Sequence, residues 1–259
     1  MRYYVTADVH GYYTLFIHAL KEKGYFEDNG PKKIIICGDL MDRGKEAKEL
    51  QAFVLEHMKM NDIILVKGNH EDLFEDLTTK DNGVLYEHHE HNGTWDTGIQ
   101  LTGISPNIAY SYNDFFASQL KKTPFYTQII PKMVPYYETE HYIFVHGWIP
   151  TATRKGEFKY TPNWRTMSPR KWKEARWVNG MKFACEYGIT EPGKTIVCGH
   201  WHTSYGHSKI DGKGDEFGFT ADFSPFYADG IIALDGCTAY SGIVNCIVID
   251  DKEAQIDHS

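Results

Sequence analysis

The sequence predicts an α/β protein with its chemistry gathered at the ends of β-strands. Short apolar runs alternate with stretches of helical period over the first eighty residues. Each of these runs stops at a cluster of glycine, aspartate, asparagine or histidine. The βαβαβα order implies parallel strands joined by right-handed crossovers, and sheets of that kind place their ligands beyond the strands' C-terminal ends.

The first strand reads over residues 3–7, followed by a helix carrying Leu15, Ile17, Ala19 and Leu20 that stops near Gly24. The second strand is 34–37, and a helix over about 45–57 sets Leu50, Phe53, Val54 and Met58 on one face. A third strand at 63–66 leads into a helix over 71–77. Residues 81–140 are aromatic and polar, with prolines at 106, 124, 131 and 135, and read as helices and loops inserted over one edge of the sheet. Strand character returns at 142–145. A second insertion over about 150–192 carries three of the six tryptophans and a cluster of basic residues. Runs at 195–198, 231–234 and 243–249 close the chain, the last two reading as an antiparallel pair or hairpin around the turn at 236–242. The polar tail 251–259 is expected to fray.

At 259 residues the chain suits a single domain, 1–259, with insertions at about 81–140 and 150–192. No run of about 18 apolar residues offers a membrane span. Residues 1–5 enter a strand without signal-peptide architecture, so a cytoplasmic protein is expected. A net charge of -8 argues against a stable nucleic-acid partner, which usually calls for a basic face. The five cysteines include no CxxC pair, and all but Cys185 sit in or beside apolar runs, as buried reduced thiols do.

Five short motifs stand at strand ends. They are Asp8-Val9-His10, Gly38-Asp39-Leu40-Met41-Asp42-Arg43-Gly44, Gly68-Asn69-His70-Glu71, Val145-His146-Gly147 and Gly199-His200-Trp201-His202. All five are expected to converge on one rim. Mixed nitrogen and oxygen donors suit two divalent or first-row transition ions such as Mn, Fe or Zn better than Ca, and the absence of cysteine argues against a structural zinc site. Asp39 is suited to bridge two cations, and Arg43 to grip a phosphate with its planar fork of donors. Alone, Asp8 reads equally as a turn residue and Asn69 as a helix cap. The run Glu87-His88-His89-Glu90-His91 lies outside the motif order and reads as a solvated or cap surface.

With these residues in place, the sequence resembles the calcineurin-like metallophosphoesterases, in their phosphoprotein-phosphatase branch. The GD-LM-DRG and GNHE forms carry the likeness, and the run Ile232-Ala233-Leu234-Asp235-Gly236-Cys237 through Ser241-Gly242 is similar to the closing strands of bacterial members, including diadenosine tetraphosphate hydrolases. The resemblance implies a central β-sandwich flanked by helices, with helical and loop cap insertions. It implies one metal on Asp8, His10 and Asp39, with His202 as a further ligand, and a second on Asp39, Asn69, His146 and His200. It makes His70 the general acid, Asp42 the carboxylate that orients it, and Arg43 and Asn69 phosphate-binding groups. Arg176, beside Trp177, is the candidate second phosphate arginine, with Arg154, Arg165 and Arg170 as competitors. The implied activity is phosphoester hydrolysis by a metal-bridging hydroxide, on a phosphorylated protein in the manner of a serine/threonine phosphatase, or on a small phosphoester or dinucleoside polyphosphate. A catalytically silent metal-binding scaffold is the competing reading, and the presence of every ligand type together with His70 weighs against it.

Overall fold

The structure, a computed structural model, describes residues 1–79 and 86–252. Two sheets form its centre. The first has the order β11-β1-β2-β3. In it β1 (Arg2–Thr6), β2 (Lys32–Cys37) and β3 (Ile63–Val66) are parallel, and β11 (Cys246–Asp250) runs antiparallel to β1. The second has the order β4-β5-β8-β10-β9. Its three central strands β5 (Tyr142–Phe144), β8 (Thr195–Cys198) and β10 (Ile231–Ala233) are parallel, with β4 (Tyr137–Glu138) and β9 (Phe226–Ala228) antiparallel at the edges. A separate hairpin pairs β6 (Ala152–Arg154) with β7 (Glu157–Lys159).

The two-residue period of a strand divides these sheets into layers. Tyr3, Val5, Ala7, Ile35 and Cys37 point inward and meet Phe144, Val197 and Leu234 from the second sheet. Tyr4, Ile34 and Ile36 point outward into a helical layer with Phe16, Leu20, Leu50 and Val54. That layer holds α1 (Tyr13–Glu22), α2 (Ala47–Met60) and α3 (Asn69–Leu77). The outer face of the second sheet, Ile143, Val145, Ile196 and Cys198, packs on Trp148, Trp164 and Trp172. The sandwich implied by the family resemblance is therefore present, with helices on both outer faces.

The first insertion supplies α4 (Tyr86–Asn92), α5 (Thr94–Thr102), α6 (Pro106–Ser111) and α7 (Asn113–Leu120); residues 80–85, near its start, lie outside the described residues. The second contains the β6-β7 hairpin and α8 (Pro169–Ala175). No helix among the described residues is long and apolar enough to cross a membrane.

Three expectations need correction. The runs 231–234 and 243–249 do not pair. β10 joins β8 and β9 while β11 joins β1, and the chain between them crosses from one sheet to the other. Apolar period marks both as strands but carries no information about partners. The tail does not fray at Asp251, a buried residue whose carboxylate accepts the His141 backbone N–H at 2.8 Å; the expectation for residues 253–259 lies outside the described residues. Within the histidine-rich run, His88 and His91 are exposed on α4, but His89 is buried.

Candidate metal centre

The loops that follow β1 and β2 are laced together by backbone hydrogen bonds. His10 N–H donates to Asp39 C=O at 2.9 Å, and Gly44 N–H donates to His10 C=O at 2.8 Å. Nine non-glycine residues have left-handed φ among those described, and six of them are Asp8, His10, Asp39, Asp42, Arg43 and His200. Such backbone is costly outside glycine and gathers at functional sites. Two glycines make the close approach possible. A Cβ on Gly38, itself at φ +81°, would lie 2.4 Å from His146 Nδ1, and one on Gly68 would lie 2.4 Å from the Asp39 backbone nitrogen.

Asp39 stands at the middle. Its Oδ2 lies 3.8 Å from His10 Nε2 and 3.7 Å from His70 Nε2, while its Oδ1 lies 3.2 Å from His146 Nε2. One carboxylate thus serves two separate ligand groups able to hold a metal ion, His10–Asp39–His70 and Asp39–His146–His200. Asn69 joins the second group through Oδ1, 2.7 Å from His146 Nε2. Asp8 stands beside both: its Oδ2 accepts the His200 backbone N–H at 2.9 Å, and its Oδ1 is buried with no hydrogen-bond partner among the described residues.

The electrostatics describe a site short of positive charge. Burial pushes the Asp8 carboxyl well up, and the neighbouring Asp235 adds to it. Asp235 is itself raised by burial, to about 6. Asp39 is held well below the usual carboxylate range, because the charges of His146 and His70 outweigh its burial. Burial keeps His10 low, with Arg43 adding to the effect, and brings His200 down to about 3, so both imidazoles are neutral with a lone pair to offer. His146 is opposed by burial but raised to about 10 by Asp39; its nitrogens face Cys37 C=O and Asn69 Oδ1. An unpartnered buried carboxylate oxygen, crowded carboxylates and neutral imidazoles form a donor set that fits hard or borderline cations.

His70 and Asp42 form a buried pair, with Nδ1 2.7 Å from Oδ2. Arg43 Nη1 donates to His10 Nε2 at 2.9 Å, and Nη2 lies 3.3 Å from His70 Nε2. The guanidinium therefore sits on the nitrogens beside which cation and phosphate are expected. His202 lies outside both groups, with Nδ1 3.0 Å from Ser204 Oγ and Nε2 3.3 Å from Glu216 Oε1. Arg176 is half-buried against Asp72, Nη1 to Oδ2 at 2.7 Å, with its Nε unpartnered among the described residues. Its backbone oxygen would lie 2.7 Å from a Cβ on Gly147, so that glycine admits it beside His146. The competing arginines are committed elsewhere or exposed: Arg165 is paired with Glu138 and Glu191, Arg170 with Glu174, and Arg154 is exposed on β6.

Sequence reasoning missed several supporting residues. Buried Glu71 accepts backbone N–H groups from Gly68 at 2.7 Å, Asp39 at 3.2 Å and Leu40 at 2.9 Å, fixing the Asp39 loop. Its position three residues into the helix start was the available signal. Asp235 closes the strand end after β10, and its place after an apolar run was also legible. Thr94 donates to Asp42 Oδ2 at 2.8 Å and Thr97 Oγ1 accepts the Asp42 N–H at 3.0 Å; nothing in their local sequence announces either contact.

Residues 1–204 match the calcineurin-like phosphoesterase family. The asymmetrical bis(5′-nucleosyl)-tetraphosphatase of Bacillus velezensis is 29% identical over 133 residues, covering 49% of this chain and 51% of the relative. The chain thus spans about half the length of that curated relative. Among solved structures, a protein serine/threonine phosphatase from Saccharomyces cerevisiae is similar with a TM-score of 0.52 and 16% identity over 100% of this chain and 81% of that one. A cold-active protein-tyrosine phosphatase from a psychrophilic Shewanella is similar with a TM-score of 0.52 and 13% identity over 96% and 75%. At these identities the two structures speak to the fold alone.

Proposed function

The chain belongs to the calcineurin-like phosphoesterase family, and from that premise we propose that it is a metal-dependent hydrolase of phosphate esters, acting on phosphomonoesters in the manner of a serine/threonine phosphatase. The single observation behind this reading is Asp39, whose two carboxylate oxygens face two separate ligand groups. His10 and Asp39, with Asp8 beside them, would hold one cation, and Asp39, Asn69, His146 and His200 the other. Bound cations supply Lewis-acid charge and lower the pKa of water.

The chain's own residues do the rest. His70 donates a proton to the departing oxygen, and Asp42 fixes the ring by taking its Nδ1–H. Arg43 provides two donors at the rim for non-bridging phosphate oxygens. In that role its guanidinium leaves the His10 and His70 nitrogens it occupies here. Half-buried Arg176, held on Asp72, adds a second positive charge. Arg176→Ala is expected to raise KM for a phosphorylated substrate about tenfold, as loss of a charge-assisted hydrogen bond does. Michaelis–Menten kinetics check it, with thermal unfolding to gauge what Asp72 loses, and unchanged KM and kcat remove Arg176 from the site.

The second reading, a dinucleoside polyphosphate substrate, rests on exposed rings beside His200. Trp177 and Trp201 each lie 6.1 Å from the His200 ring, and both keep more than a third of their surface open, 43% and 36%. Stacking on such rings is worth about 1–3 kcal/mol per base. The 29% identity with the tetraphosphatase points the same way. The deciding experiment gives the Mn-loaded protein p-nitrophenyl phosphate, a phosphoserine peptide and diadenosine tetraphosphate. Higher kcat/KM for the peptide supports the first reading and for the dinucleotide the second. No hydrolysis with any first-row metal, in folded protein, overturns both.

A further inference from the structure

The first insertion is more than a cover over the sheet edge. Building on the reading that His70 protonates the leaving group, we propose that α5 is a brace for the loop carrying Asp42 and Arg43, and that Thr94 is the positioning residue that sets Asp42, and through it His70.

Thr94, Thr97 and Gln100 recur every three residues, so they share one face of α5. All three spend their polar atoms on one short loop. Thr94 Oγ1 donates to Asp42 Oδ2 at 2.8 Å. Thr97 Oγ1 accepts the Asp42 backbone N–H at 3.0 Å. The Gln100 amide donates to Gly44 C=O at 2.9 Å and accepts the Ala47 N–H at 3.0 Å. Just ahead of the helix, a Cβ on Gly93 would lie 2.4 Å from the Arg43 nitrogen, so only glycine allows the helix to dock this closely. Beside that face α5 is anchored in the core: a Cβ on Gly98 would lie 2.7 Å from the Phe116 ring.

The loop needs such support. Asp42 and Arg43 both have left-handed φ, 79° and 64°, and strained backbone persists only where its surroundings hold it. The Asp42 carboxylate needs it more narrowly. Its Oδ1 has no partner among the described residues, so Oδ2 carries both the His70 Nδ1 contact at 2.7 Å and the Thr94 hydroxyl. Two donors on one oxygen fix the carboxylate plane. Without the hydroxyl, the His70 contact alone must hold it, and the ring gains freedom to turn.

The test compares Thr94→Val, which removes the hydroxyl, with Thr94→Ser, which keeps it. In metal-free protein the Nδ1 proton resonance of His70 reports the Asp42 contact directly. In Mn-loaded protein, turnover is measured on p-nitrophenyl phosphate, whose leaving group needs little protonation, and on a phosphoserine peptide, whose alkoxide needs it. Thr94→Val is expected to shift or broaden the resonance. It should lower kcat on the peptide about tenfold, the scale of a lost supporting hydrogen bond, and kcat on the nitrophenyl ester less. Thr94→Ser should restore both. An unmoved resonance, or equal losses on the two substrates, overturns the assignment. If Thr94→Val does not fold, Thr94→Ala carries the same readouts. Wild-type protein that cleaves neither ester sinks the hydrolase reading instead, and the resonance in metal-free protein still decides what Thr94 does.

Discussion

Replacing His70 with Asn should lower turnover by about two to four orders of magnitude, the range general acids contribute, while both cations stay bound. The geometry makes this a sharp test, because His70 also stands close to the ligand groups. Its Nε2 is 3.7 Å from Asp39 Oδ2, and its ring packs edge-on against His10 at 4.7 Å. A ligand and an acid would use that same nitrogen. What favours the acid is the other nitrogen, held 2.7 Å from Asp42 Oδ2. Asp39 and Asp42 raise the ring's pKa against the effect of burial, which favours the form that carries a proton to give. The measurement pairs kcat on esters of good and poor leaving groups with metal content by elemental analysis. Loss concentrated on the poor leaving group, with metal retained, is the acid's signature. A fall in metal content as deep as the fall in activity makes His70 a ligand.

Sequence legibility followed physical range. Strand ends are local: an apolar run halting at Gly38-Asp39 or Gly68-Asn69 announces both the element and its cluster, and β3 and β8 fall where the pattern put them. That His146 and His200 share one rim could be expected because parallel strands end on one side; that Asp39, from the other sheet, meets them there depends on how the two sheets stack. Pairing partners could not, since β10 and β11 have equally apolar patterns and their sheets are chosen by packing across the sandwich. Side-chain direction was equally hidden. His202 is two residues from His200, yet Glu216 and Ser204 draw it away from both ligand groups. The same holds for Thr94, whose role depends on α5 docking against a loop more than fifty residues earlier.

Asp39→Asn should cost at least one of the two cations and reduce turnover to below about a thousandth, since several kcal/mol of metal-derived stabilisation vanish at about 1.4 kcal/mol per factor of ten. Each oxygen of this carboxylate has its own task, Oδ2 toward His10 and His70, and Oδ1 toward His146. Asparagine keeps one oxygen and turns the other position into an NH2 donor, so whichever way the amide faces, one group meets hydrogens where it needs a lone pair. The charge matters as much as the lone pairs. His146 is opposed by burial and owes its raised pKa to Asp39, so without that anion burial favours the neutral ring and the metal-free protein loses a buried ion pair. The variant should therefore melt lower than wild type without metal, and it should also lose the rise in melting temperature that added Mn confers on wild type. Elemental analysis completes the test: two cations per chain in wild type and at most one in the variant. A variant that keeps both and loses only turnover would mean that the two groups bind independently. The carboxylate would then act on substrate or water, because a shared ligand cannot lose one charge and leave two neighbouring cations equally well held.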